Sequence, residues 1–174
     1  PWAIAIDETQ RMAIEADTTF GQPRDDAGMK GLAAARAIGL LSYRGPEGYN
    51  LTQQDREEAP AVHRACTYQQ YQGDKLCRRF DAYSYYRLTQ AFDSHNVGRY
   101  RGGVESALSS IRCPAMIVGI SSDMLFPVSE QVFLYRHIPN SRLRLIDSPF
   151  GHDGFLVEYD KLNAILKPFV NGSI

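Results

Sequence analysis

The unbroken apolar run Ala-Met-Ile-Val-Gly-Ile at Ala115–Ile120 constrains this chain more than any other feature. Alternating polar and apolar residues would describe a strand with one wet face; a continuous run describes a strand covered on both faces, as in parallel sheets flanked by helices. Cys113-Pro114 leads into the run, Ser129 offers a cap for a helix over residues 129–137, residues 142–147 form a second strand candidate, and residues 155–170 a closing helix. Strand, helix, strand, helix is a βαβ unit, whose strands lie parallel with a right-handed crossover. The expected fold class is therefore α/β. Two parallel strands do not form a sheet that is stable alone, and the 174 residues hold no third convincing strand. The N-terminus, Pro-Trp-Ala-Ile-Ala-Ile-Asp-Glu, has neither an initiator Met nor the basic-then-apolar order of a signal peptide. The expectation is a C-terminal portion of a larger α/β domain.

Upstream of the run the periodicity is helical. Residues 3–16 set Ile4, Ile6, Met12 and Ile14 among Glu8, Gln10 and Arg11, an amphipathic helix that ends at Asp17-Thr18-Thr19. A turn-rich stretch over residues 21–26 follows, then a helix over Met29–Tyr43 that stops at the Gly45-Pro46 breaker. Residues 45–60 read as loop, residues 62–80 and 83–93 as helices, residues 98–103 as a glycine-rich loop and residues 104–110 as a short helix. The expected division is residues 1–19 as a helix of the α/β core, residues 20–103 as a helical insertion, and residues 104–174 as the βαβα part of that core.

Charge and cysteine content narrow the function. Nineteen Lys and Arg against twenty Asp and Glu leave a net charge of −1, which offers no footprint for nucleic acid or an anionic membrane. No apolar run approaches the roughly 20 residues that cross a bilayer, so a soluble protein is expected. Cys66, Cys77 and Cys113 are odd in number and form no C-x-x-C pair, which argues against a disulfide framework or zinc site. They read as small core or helix-packing residues in a reducing, cytoplasmic compartment, with no metal and no bound cofactor expected.

In a parallel α/β sheet, ligands bind beyond the carboxyl ends of the strands. Asp123 follows the first strand in Ser121-Ser122-Asp123-Met124-Leu125-Phe126-Pro127, and His152 follows the second in Asp147-Ser148-Pro149-Phe150-Gly151-His152-Asp153. Alone, the first reads as a turn residue and the second as an ordinary hydrogen-bonding group. Together, at the same end of two parallel strands, they read as a catalytic pair: the carboxylate fixes the imidazole tautomer and leaves the other ring nitrogen as base. Gly151 and Gly154 permit the tight backbone such a presentation needs. The order Asp then His is that of α/β hydrolases, in which a serine on a glycine-flanked elbow comes first. Ser42, Ser84, Ser94, Ser106, Ser109 and Ser110 all lack those flanks, so the nucleophile is expected upstream and this chain alone is expected to be inert.

The segments Trp2-Ala3-Ile4-Ala5, Gln10-Arg11-Met12-Ala13-Ile14, Tyr71-Gln72-Gly73-Asp74-Lys75, Arg79-Phe80-Asp81-Ala82-Tyr83-Ser84-Tyr85, Ser121-Ser122-Asp123-Met124-Leu125-Phe126-Pro127 and Gly151-His152-Asp153 resemble the homoserine O-acyltransferases of the α/β-hydrolase superfamily. The resemblance implies a Ser-Asp-His triad, with Asp123 and His152 in this chain, that moves an acetyl or succinyl group from acetyl-CoA or succinyl-CoA to the hydroxyl of L-homoserine in methionine biosynthesis. It implies that the helical middle is a lid, often used to form a homodimer. It also implies a carboxylate-binding Arg36 and a substrate-contacting Tyr43, and an Asp153 that meets the substrate's amino group. Seven residues apart on one helix, Arg36 and Tyr43 share a face to within about 20°, and a guanidinium suits a carboxylate; by itself Arg36 reads as an exposed helix charge. With water as acceptor the same fold would be an esterase, and without chemistry a dimerisation module built on the lid. Tyr83, Tyr85 and Tyr86 read as lid packing, and Arg99, Tyr100 and Arg101 as a solvated loop.

Overall fold

The computed structural model describes residues 1–58 and 61–172. Their contacts divide them into two compact units, Pro1–Ser42 with Tyr49–His95, and Tyr43–Gly48 with Asn96–Ile174.

The first unit is helical. It is built from α1 (Trp2–Glu15), α2 (Met29–Tyr43, as far as Ser42), most of α3 (Pro46–Gln53), α4 (Arg64–Cys77) and α5 (Ala82–Ser94). Ile14, Leu32, Ala35, Leu76 and Ala82 form its core, with Phe20, Met29, Phe80, Tyr85 and Tyr86 packed around them. Small residues set the helix spacing: a Cβ on Gly31 would lie 2.6 Å from the Ile14 Cα, so α1 and α2 meet backbone to backbone there. Two buried polar side chains join α1 to α5. Arg11 pairs with Glu8 and, at 2.6 Å, with Asp93, while Gln10 accepts from the Tyr85 hydroxyl. Local capping explains the helix starts. Asp81 accepts from the Ser84 amide at 2.8 Å before α5, and Asp17 reaches across to the first turn of α2, accepting from the Lys30 and Gly31 amides at 2.9 and 3.0 Å.

The predicted loop 45–60 differs from the structure, which forms α3 within it; residues 59 and 60 lie outside the described residues. Gly45-Pro46 ends α2 as expected, but a proline is also well suited to the first position of a helix, where its missing N–H is not needed, and Glu47 favours the amino end of the helix dipole. The cysteines also differ from expectation. Cys77 packs against the helical core and donates to the Met29 carbonyl, but Cys66 and Cys113 are exposed.

The second unit carries α6 (Val104–Ser109), β1 (Ala115–Ile120), α7 (Val128–His137), β2 (Ser141–Ile146), a 3₁₀ turn over Gly151–Asp153, α8 (Gly154–Val157) and α9 (Tyr159–Val170). The strands pair in parallel, from Ala115 opposite Ser141 to Ile120 opposite Ile146. They form a two-stranded sheet among the described residues. Leu108, Ile117 and Ile138 make a small core between α6, β1 and the end of α7, with Phe133, Leu134 and Leu143 beside them. Ser129 does not cap α7: the helix already starts at Val128, Pro127 holds the cap position, and no side chain bonds there. The predicted helix 155–170 is interrupted at Glu158 (φ −89°, ψ 49°). The Glu158 carboxylate turns to Ser148 and to Lys161, 3.1 Å away, and both hold it below the usual carboxylate range. No helix among the described residues is long and apolar enough to cross a membrane.

Candidate active site

The carboxyl ends of β1 and β2 bring two of the predicted residues into contact. After the last backbone rung, in which the Ser121 amide donates to the Ile146 carbonyl at 2.9 Å, the chain turns at Asp123. Its Oδ1 accepts from the Leu125 and Phe126 amides at 2.8 and 2.9 Å, a local turn that fixes the carboxyl group. The other oxygen, Oδ2, lies 2.9 Å from His152 Nδ1. A carboxylate can only accept, so Nδ1 is the donor, and in the neutral imidazole this tautomer leaves the lone pair on Nε2. The Asp123 side chain is 6% exposed and the imidazole 28%, so the orienting group is buried while the ring remains open to a reacting molecule.

Aromatic rings surround the imidazole. Phe126 and Phe155 meet it edge-on at 5.3 and 5.4 Å, and Tyr43 lies 6.1 Å away. The loop bearing His152 is tightly packed. Gly151 has φ +65°, and a Cβ on it would sit 2.2 Å from the Gly45 amide nitrogen; a Cβ on Gly45 would sit 2.3 Å from the Pro149 carbonyl. The turn 43–48 therefore lies backbone to backbone against 149–151, with the Gly48 amide donating to the Pro149 carbonyl at 3.0 Å. Glycine is required at 151 on both counts. Gly154 has an ordinary helical conformation, and its small size matters because a Cβ there would press on Ile120 at 3.0 Å.

The remaining predicted residues divide between the units. Tyr43 and Asp153 lie in the same unit as the pair, whereas Arg36 is half-buried on α2 in the helical unit. Asp153 faces a cation already: Arg44 Nε is 3.1 Å from its Oδ2, with both side chains about four-fifths buried. Two carboxylate oxygens can accept from more than one donor, so the pairing leaves Asp153 able to take an ammonium as well. Sequence reasoning passed over Arg44, since a basic residue at the end of a helix is ordinary and its partner lies far along the chain. Ser121 and Ser122 carry no motif signal in the sequence, yet both hydroxyls bridge the two loops. Among the described residues no group of three or more His, Cys, Asp or Glu is placed to hold a metal ion. What the arrangement offers chemically is a base at Nε2, backed by a buried anion that steadies the imidazolium once a proton is taken.

No protein-family model matches the chain. It is 47% identical over 169 residues to the homoserine O-acetyltransferase of Cyclobacterium marinum, an alignment that covers 97% of this chain and 48% of that protein. The crystal structure of homoserine O-acetyltransferase from Staphylococcus aureus is similar with a TM-score of 0.74 at 27% identity, over 98% of this chain and 47% of that one. That of esterase E22 is similar in fold with a TM-score of 0.81 at 20% identity, over 95% and 50%. The chain spans about half the length of the curated relatives it matches. The helices and the parallel strand pair are thus part of an α/β-hydrolase fold, as the resemblance implied.

Proposed function

We propose that this chain, a homologue of the homoserine O-acetyltransferases, supplies the orienting carboxylate, the base and a helical lid to an enzyme that moves an acyl group from acyl-CoA to the hydroxyl of L-homoserine. The observation that carries this reading is the 2.9 Å bond between Asp123 Oδ2 and His152 Nδ1 at the ends of two parallel strands. His152 Nε2 takes the proton of a serine hydroxyl contributed by sequence upstream of Pro1. The serine oxygen attacks the thioester carbonyl, and collapse of the tetrahedral intermediate expels the CoA sulfur, which leaves as thiol with the proton held by His152. In the second half, His152 takes the proton of the homoserine hydroxyl, that oxygen attacks the acyl-serine, and the serine leaves with the proton returned. The cycle is ping-pong, with acetyl-CoA or succinyl-CoA as a co-substrate.

The charged ends of the amino acid give the remaining residues their roles. The resemblance to the homoserine O-acyltransferases gives Arg36 to the carboxylate of homoserine, Asp153 to its ammonium and Tyr43 to a substrate contact, and the chemistry is compatible, since a guanidinium suits a carboxylate. Holding the acceptor by both ends favours transfer over hydrolysis by raising its effective concentration at the acyl-serine. We assign the enzyme to a cytoplasmic step of methionine biosynthesis and the lid helices to a homodimer contact.

The test is His152→Ala in the full-length protein, assayed by thiol release from acetyl-CoA with and without L-homoserine. The expected loss is at least about 10³-fold; an unimpaired variant overturns the assignment of the base. Thiol release that ignores homoserine and keeps pace with hydrolysis of small esters would make the protein an esterase. Tight self-association with no thiol release at all would leave only the lid's dimerising role.

A further inference from the structure

We infer that Ser122 is a positioning residue for the His152–Asp123 pair, acting through the backbone of Gly151 and not through any contact with substrate. The inference rests on the proposed role of that pair and extends it to a residue with no chemistry of its own.

Ala115 lies opposite Ser141 and Ile120 opposite Ile146, an offset of 26 residues throughout (141 − 115 and 146 − 120). Where the backbone ladder ends, serine side chains continue it at the same offset. The Ser121 hydroxyl donates to Asp147 Oδ1 at 2.9 Å, and the Ser122 hydroxyl donates to the Ser148 carbonyl, each across 26 residues. The pair itself stands at a different offset, 29, between Asp123 and His152. The additional three residues are accommodated on the β2 side by the turn Ser148-Pro149-Phe150, and something must join the old register to the new.

Ser122 makes both bonds. Besides donating to the Ser148 carbonyl, its Oγ accepts from the Gly151 amide at 2.9 Å, across 29 residues. One hydroxyl, which can donate and accept at once, thereby ties the last position of the strand register to the first position of the catalytic one. Ser122 immediately precedes Asp123, and Gly151 immediately precedes His152, so the Ser122–Gly151 bond is a rung one residue before the pair and parallel to it. Ser121 secures the same loop from below, its oxygen accepting from the Ser148 amide at 3.2 Å. The opposite side of the loop is held by close backbone packing at Gly45, which leaves Gly151 no slack to find another partner.

Loss of the Ser122 hydroxyl removes the rung while Asp123 stays fixed by its own turn, so the displacement falls on His152. A shift of this kind affects the reacting geometry and leaves the binding of acyl-CoA alone. In the full-length protein, Ser122→Ala is expected to lower kcat by about 10- to 100-fold at unchanged KM for acyl-CoA. It is also expected to weaken the low-field NMR resonance of the His152 Nδ1 proton. Ser122→Thr, which keeps the hydroxyl, is expected to recover both. Should Ser122→Ala not fold, Ser122→Cys, of similar shape but a weak donor, takes its place with the same expectations. Wild-type kcat and an unaltered resonance overturn the inference, as does a threonine variant that falls as far as the alanine one. If His152→Ala is inactive while Ser122→Ala is unimpaired, only this inference fails; if His152→Ala retains full activity, the reading of the pair fails with it.

Discussion

The two units use burial for different ends. In the helical unit Ile14, Leu32, Ala35 and Ala82 are wholly removed from solvent, and even Gln10 and Arg11 are buried and paired. In the strand-bearing unit α7 and α9 bury no residue and Leu145 on β2 is 52% exposed, while Ala107, Leu108, Ile117, Ile120, Ile138 and Ile146 are buried. The strand-bearing unit, which holds only part of the sheet of its relatives' fold, has its loops registered by directional bonds among Ser121, Ser122, Asp123, Ser148 and Gly151. Apolar packing sets how stable a region is; hydrogen bonds with fixed directions set where a side chain points. The largest expected effect probes the second kind. Asp123→Asn, which removes the anion and unsettles the tautomer of His152, is expected to lower kcat by about 10⁴-fold, with the melting temperature of the full-length protein nearly unchanged. A matching fall in melting temperature would erase the distinction between the units.

The reverse substitution is Leu32→Ala. Leu32 is 0% exposed in the helical core, and its truncation is expected to cost about 2–5 kcal/mol of stability, read by urea unfolding, while kcat per folded molecule is retained. A kcat that falls with stability would mean that core packing also sets the reacting geometry. Gly151→Ala stands between the two kinds. A non-glycine residue at φ +65° is disfavoured by about 1–2 kcal/mol, and the new Cβ would press on the Gly45 amide. Both stability and kcat are expected to fall, and a variant that loses only stability would show that the His152 loop tolerates displacement.

How much of this was legible depended on the range of each signal. Helical periodicity is local, so α1, α2, α4 and α5 could be read from spacing alone, and the strand pair from its apolar run and βαβ order. The nearness of Asp123 and His152 was legible for the same reason, since parallel strands that each end in a turn bring those turns to one edge. What escaped was set by competition or by distance. Pro46 read as a breaker because it ends one helix, although it equally starts α3. Glu158, where the closing helix breaks, turns its carboxylate to Ser148, and the partner of Arg44 is Asp153, both pairings beyond the reach of a local pattern. The role of Ser122 is hidden for a further reason: it depends on a change of offset between strands, which exists only once the register is known.

The smallest effect concerns a cap in the helical unit, and it tests whether directional bonds matter there too. Asp17 lies outside α2 but accepts from the Lys30 and Gly31 amides in its first turn, and from the amide and hydroxyl of Thr19. The Thr19 and Gly31 amides chiefly stabilise the ionised form, and with the Thr19 hydroxyl and Lys30 amide they pull its pKa from 3.8 to about 2. A carboxylate whose folded pKa is depressed contributes stability that is present above its unfolded value and lost as the pH falls through its folded value. The contribution of Asp17 is therefore complete at neutral pH and disappears between about pH 4 and about pH 2. Asp17→Ala is expected to cost about 1 kcal/mol at pH 7, with the wild-type and variant urea curves converging as the pH is lowered through that window. A difference that stays constant with pH would mean that Asp17 acts through the shape of its turn and not its charge. In that case polar geometry in the helical unit would be incidental to its packing, and the contrast with the strand-bearing unit would be sharper.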